Sequence, residues 1–123
     1  MTYEITVDES QQYIILTTHG ELTNEKAMKQ NLEAHALGKK LGIDRFLVDL
    51  TDSTYNGTII GHYQFAYEEM KAEPVIDVTA KVAAVVSPED HSHDFFETVA
   101  RNSGMDFTLF RNREQAIRHL LRK

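Results

Sequence analysis

A chain of 123 residues has the length for one hydrophobic core and is expected to form a single domain over residues 1–123. Its hydrophobic fraction of 41% and charged fraction of 26% are ordinary for a globular protein and argue against disorder. With 19 acidic against 13 basic side chains, the net charge of −6 repels a phosphate backbone, so nucleic acid is not an expected partner.

Tyr3, Ile5 and Val7 alternate with polar neighbours, the period of a half-buried strand. Asp8-Glu9-Ser10-Gln11-Gln12 reads as a polar turn, and Tyr13-Ile14-Ile15-Leu16-Thr17-Thr18 as a second strand completing an antiparallel hairpin. Gly20-Glu21-Leu22 is read as leaving the sheet. Thr23 or Asn24 can then cap a helix over about 24–41. Its apolar stripe is read as Ala27, Met28, Leu32, Ala36 and Leu37, and Gly42 stands where a left-handed terminator is expected.

Phe46-Leu47-Val48-Asp49-Leu50 is a mostly apolar run, as in a strand covered on both faces. Residues 51–57 are read as a loop into a second helix carrying Ile59, Tyr63, Ala66, Tyr67 and Met70, which Pro74 prevents from continuing. Lys81-Val82-Ala83-Ala84-Val85-Val86 is another buried strand. A third helix, opened by Asp90 or Ser92, runs through Phe95, Phe96, Val99 and Ala100 to Gly104. Asp106-Phe107-Thr108-Leu109-Phe110 is the last strand, and Asn112 and Gln115 have capping-box spacing before a fourth helix with Ala116, Ile117, Leu120 and Leu121. Strands taking turns with helices imply an α/β fold with a largely parallel sheet of four or five strands.

The element order resembles that of the SpoIIAA-like (STAS-like) family of anti-sigma-factor antagonists, STAS domains and their bacterial relatives, and so does Thr18-His19-Gly20-Glu21-Leu22 at the entry to the first long helix. The stretch Asp52-Ser53-Thr54-Tyr55-Asn56-Gly57-Thr58-Ile59-Ile60-Gly61 is similar to that family's D-S-S-G-L-G-V-I-L-G segment, with Tyr55-Asn56 in place of its Gly-Leu. The resemblance implies a β-α superhelical sandwich of a four- to five-stranded mixed sheet and about four helices. It also implies a binding or regulatory module rather than an enzyme, with Ser53 as phosphoacceptor in its regulatory form. The fold's kinship with CRAL-TRIO lipid-exchange domains implies a second use, carriage of an apolar molecule with membrane contact that is at most peripheral.

The residues themselves offer several candidates. Ser53 is read either as one of a run of caps (Thr51, Asp52, Ser53, Thr54) on the second helix or as a phosphate acceptor stabilised by that helix's N-terminus. His91-Ser92-His93-Asp94 follows a buried strand, at the end of the sheet where α/β folds bind ligands. It is read as a polar helix entry, a ligand or interface loop, or, most weakly, a metal pair. Tyr55, His62, Tyr63 and Tyr67 offer amphipathic surface for core packing, a pocket or a homodimer face. A pocket for an apolar ligand would be lined by Ile59, Tyr63, Tyr67 and Phe95 or Phe96. Asp49, a carboxylate within an apolar strand, needs a hydrogen bond or a partner charge.

No nucleophile elbow, phosphate-cradling glycine loop or HExxH is present, so catalysis is not expected, and no cofactor or metal is implied. The lack of cysteine suits a reducing compartment, and Met1-Thr2-Tyr3-Glu4 has no signal-peptide character, which together read as cytoplasmic. Arg111, Arg113, Arg118, Arg122 and Lys123 make one end basic, either to favour a helix dipole or to dock an anionic partner or lipid head group. The expected ligand or partner is a small apolar molecule or another protein, a second copy of the chain included.

Overall fold

The structure, a computed structural model, describes residues 2–56, 74–77 and 79–122. The expected hairpin forms from β1 (Thr2–Val7) and β2 (Ile14–Leu22), paired antiparallel with Tyr3 opposite Thr18 and Val7 opposite Ile14. Helix α1 (Asn24–Leu41) follows, then β3 (Arg45–Tyr55), β4 (Lys81–Val86), α2 (Asp94–Asn102), β5 (Asp106–Phe110) and α3 (Arg113–Leu121). The strands lie in sequence order in one sheet, and every pairing after the first is parallel. The α/β fold with a five-stranded mixed sheet is thus as expected. Three of the four expected helices are seen; the one expected at 59–70 lies outside the described residues.

Local chemistry sets the helix ends. The Thr23 hydroxyl accepts the Lys26 N–H, and Gly42 adopts φ +72° while its N–H returns to the Gly38 carbonyl. Asn112 caps α3 by accepting the Gln115 N–H at 3.0 Å. Replacing Asn112 by alanine is expected to cost about 1 kcal/mol in urea unfolding; no measurable loss would show that the cap contributes nothing. Helix α2 departs from expectation: neither Asp90 nor Ser92 caps it. Its N-cap is His93, with no side-chain cap bond, because Asp90 is turned to the Ser92 N–H and Ser92 is turned to Tyr55.

The sheet is covered on both faces. On one, Leu47, Ala83 and Val85 pack with Tyr13 and with Ala116 and Leu120 of α3. On the other, Phe46, Leu50, Ala84 and Val86 meet α1 and α2 through Ala27, Ala34, Phe96, Val99 and Ala100. The stripe that α1 buries is Ala27, Gln30, Ala34, His35 and Gly38; Met28 and Leu32 flank it, and Ala36 is exposed. The stripe expected from the larger apolar side chains is therefore rotated by about one position, because small residues let α1 sit close to the sheet.

Two strand ends also differ from expectation. Gly20-Glu21-Leu22 remains in β2, and residues 51–55, expected as a loop, continue β3, with Leu22 opposite Tyr55. The ladder carries a bulge: Thr17 faces Asp49, but His19 faces Asp52, so β3 has one extra residue. That extra residue brings Ser53 and Tyr55 to the face occupied by Leu50.

Candidate functional site

Beyond Leu50 no strand among the described residues lies beside the β4 edge of β3, since β4 ends at Val86 opposite that residue. Side chains of the β4–α2 loop complete the ladder instead. The Ser87 hydroxyl donates to the Thr51 carbonyl at 2.7 Å, the Tyr55 N–H donates to the Ser92 hydroxyl at 2.9 Å, and His93 Nε2 lies 3.3 Å from the Ser53 carbonyl. These bonds satisfy backbone groups that would otherwise be orphaned, and they tie the loop to the end of β3.

Behind this seam lies a cavity of about 70 Å³ between α1, the sheet and α2. Leu16, Leu22, Val48, Leu50, Phe96 and Phe107 supply an apolar wall. Thr18, Gln30, His35, Tyr55 and His93 supply polar groups within it. The Thr18 hydroxyl donates to Gln30 Oε1 at 2.5 Å, both residues being buried. The Tyr55 hydroxyl bonds to Asn24, and its ring meets His93 edge-on at 5.6 Å and lies over Phe96 at 5.9 Å.

The two cavity histidines are neutral for the same reason. His35 is 5% exposed, and burial pushes its imidazole down to about 4 against the pull of Asp77. The Asp77 N–H donates to His35 Nδ1 at 3.1 Å, which places the ring proton on Nε2. His93 is 2% exposed, and burial lowers it too, outweighing the Ser53 carbonyl, Asp90 and Asp94. Because Nε2 serves that carbonyl, its proton resides there and Nδ1 is the bare nitrogen. Burial alone would raise the Asp90 carboxyl, but bonds from Ser92 and the nearby His93 hold it below the usual carboxylate range.

The expected site residues distribute unevenly. Tyr55 and His93 line the cavity. Ile59, His62, Tyr63 and Tyr67 lie outside the described residues. Phe95 is 37% exposed while its neighbour Phe96 faces the cavity, as a 100° step around α2 requires. The two histidines of His91-Ser92-His93 part company: the His91 side chain is 69% exposed, with Nδ1 2.8 Å from Asp94 and beside Arg111, and it does not join His93. Asp49 is on the α3 side of the sheet, where it accepts from the Thr51 N–H and hydroxyl and pairs with Arg113 at 2.8 Å. Arg111 reaches Asp94, so two of the basic residues near the C-terminus are engaged with carboxylates.

Ser53 requires a correction. It heads no helix: it lies within β3, 4% exposed, and among the described residues its hydroxyl has no hydrogen-bond partner. A kinase needs an exposed hydroxyl, which this arrangement does not offer. His93 bonds the Ser53 carbonyl rather than its hydroxyl, so the pair is not a nucleophile and its base.

Thr18, Gln30, His35 and Asp77 were not singled out in the sequence. The signal available was the spacing of Ala27, Ala34 and Gly38, which marks the close-packed line of α1 on which Gln30 and His35 also fall.

Solved structures share this architecture. The anti-sigma factor antagonist SpoIIAA in its unphosphorylated form superposes with a TM-score of 0.55 at 12% identity, covering 96% of each chain. An uncharacterised protein of the DUF3478 family with a SpoIIAA-like fold, from Shewanella loihica PV-4, gives 0.52 at 15% identity over 97% of this chain and 92% of that one. No family model and no curated protein matches the sequence. The chain has the SpoIIAA-like (STAS-like) fold, as the resemblance implied. Among the described residues, no helix is long and apolar enough to cross a membrane.

Proposed function

We propose that the protein is a non-catalytic binding module of the STAS-like kind, and that its ligand is a small, largely apolar, uncharged molecule held between α1, the sheet and α2. The observation that carries this reading is the cavity itself: an apolar wall interrupted by a few neutral hydrogen-bonding side chains, the usual character of a ligand site. Asp77, the carboxylate on the described lining, is taken up by the Thr79 N–H and hydroxyl, so an ion would lose its hydration there without a free partner charge, at a cost of several kcal/mol. Size narrows the class further. A cavity of roughly 150 Å³ holds benzene, so about 70 Å³ favours a ligand of only a few non-hydrogen atoms.

A regulatory use follows from where the wall lies. Tyr55 and His93 face the cavity and also join the β4–α2 loop to the end of β3. A ligand pressing on them biases the surface formed by residues 51–56 and 87–93, where a partner protein would dock.

The test is a thermal-shift panel of small alcohols, ketones and amides on the wild type and on Ala80→Val, which adds two carbons to a buried wall residue. At a hundredfold excess over Kd a true ligand adds about 2.7 kcal/mol, or roughly 10 °C in Tm. Ala80→Val is expected to fold, and to lose that response. An equal response in both proteins places the binding elsewhere and overturns the reading.

A further inference from the structure

A second concavity, a more open surface groove of about 540 Å³, runs beside the C-terminal end of α1. Gly38, Gly42, Ile43 and Phe46 form one side, and residues 74–77 form the other. His35, Ile76 and Asp77 line both this groove and the inner cavity, so at that point a single layer of side chains divides the two.

His35 is the member of that layer with a ring that can turn about its side-chain bonds, and it is 5% exposed. Its ring stacks on Phe46 with centroids 4.3 Å apart and planes 20° from parallel, and Nδ1 takes one hydrogen bond from the Asp77 backbone. The Asp77 carboxylate faces the other way, accepting from the Thr79 N–H at 2.9 Å and its hydroxyl at 2.5 Å. Among the described residues, one stacking contact and one neutral hydrogen bond are the directional restraints on this buried ring, and each is modest. Rotation of the ring away from Asp77 would join groove to cavity while leaving α1 and the sheet in place.

We infer that His35 is the gate of the inner cavity, and that the groove beside α1 is the entrance through which a small uncharged ligand reaches it. This rests on the cavity reading above and adds the path and the residue that controls it. The groove carries charge on Lys39 and Asp44; Asp77 borders both spaces with its carboxylate bonded to Thr79, and the other described residues of the cavity wall are neutral. Passage past the imidazole therefore strips water from the entering group, and the path discriminates against ions as the cavity does.

Xenon is a suitable probe, being apolar and small enough for such a space. Methyl NMR of Met105, Leu22 and Leu50, all on the cavity wall, reports occupancy, and ¹²⁹Xe saturation transfer reports the exchange rate. The proteins compared are wild type, His35→Asn, His35→Ala and Lys39→Trp. Asparagine keeps an acceptor for the Asp77 N–H but removes the ring, and tryptophan at the exposed position 39 covers the groove without disturbing the core. Expected are saturable methyl shifts in every protein, exchange at least tenfold faster in the His35 variants, and exchange about tenfold slower in Lys39→Trp. Absence of methyl shifts in the wild type would remove the cavity reading and the gate with it. Shifts in every protein with one common exchange rate would leave the cavity standing and overturn the gate. Should the His35 variants not fold, an unchanged rate in Lys39→Trp overturns the gate by itself.

Discussion

Lowering the pH from 6.5 to 4 is expected to remove about 3 kcal/mol of stability through His35 alone. The imidazole titrates near 6.5 in the unfolded chain and at about 4 in the folded one, where burial penalises its charge. Between those values the unfolded state holds a proton that the folded state refuses. Stability is therefore complete above pH 6.5, falls through the window, and has lost this contribution below pH 4. His93, lowered by burial as well, acts in the same direction. Asp8, Asp77, Asp90 and Asp94 have depressed pKa values, so the stability they contribute is present above the normal carboxylate pKa of 3.8 and is lost below it. Urea unfolding from pH 7.5 down to 4 measures the slope. His35→Asn, which cannot titrate and still accepts the Asp77 N–H, is expected to show a flatter profile; a slope identical to that of the wild type would show that His35 is not the group responsible.

Gly38→Ala is expected to destabilise the protein by about 1–3 kcal/mol, the range for overpacking a close-packed site. In an exposed helix the same change would stabilise by up to about 1 kcal/mol. The difference is contact. A Cβ at position 38 would lie 2.6 Å from the Ile43 carbonyl oxygen, 2.9 Å from Cζ of Phe46 and 3.3 Å from Cδ1 of Ile14. The nearest of these is backbone, held where the Ile43 N–H returns to the Gly38 carbonyl at 2.9 Å, so it cannot swing aside. Relief would require α1 to lift from the sheet, loosening Ala34 and Phe46 in the same cluster. Chemical denaturation checks this, and a variant as stable as wild type would mean that α1 packs less closely than described.

The order of elements was legible because most of them carry their own local signals. The hairpin announces itself by alternation, α1 by Thr23 and Gly42, and α3 by Asn112 and Gln115. The C-terminal half of β3 was hidden for a physical reason. Thr51-Asp52-Ser53-Thr54-Tyr55 is polar because half of its neighbours are side chains of a distant loop, Ser87, Ser92 and His93, rather than a strand. Polarity that marks a loop in isolation here marks a strand whose partners are 36 to 40 residues away.

The cavity was half legible. Tyr55 and His93 stood out as aromatic and ionisable residues beside strand ends, and both reach it. Gln30 and His35 did not, because a polar residue on a helix reads as solvent-facing unless its partner is known. Their partners, Thr18 and Asp77, come from β2 and from the turn before β4. Residues one or two apart also diverge, and which of each pair turns inward is set by the sheet rather than by the local sequence: His91 is in solvent and His93 in the interior, Phe95 at the surface and Phe96 against the cavity.

Native mass spectrometry of the freshly purified protein, under conditions that preserve non-covalent complexes, tests the central claim most directly. A fraction of the wild-type protein is predicted to carry one small neutral adduct, retained in Asn112→Ala, whose substitution lies at the far face of the sheet, and missing from Ala80→Val. Wild-type protein that remains at its bare mass, and stays so after incubation with every compound of the thermal-shift panel, would contradict the claim that this fold holds a ligand between α1 and the sheet.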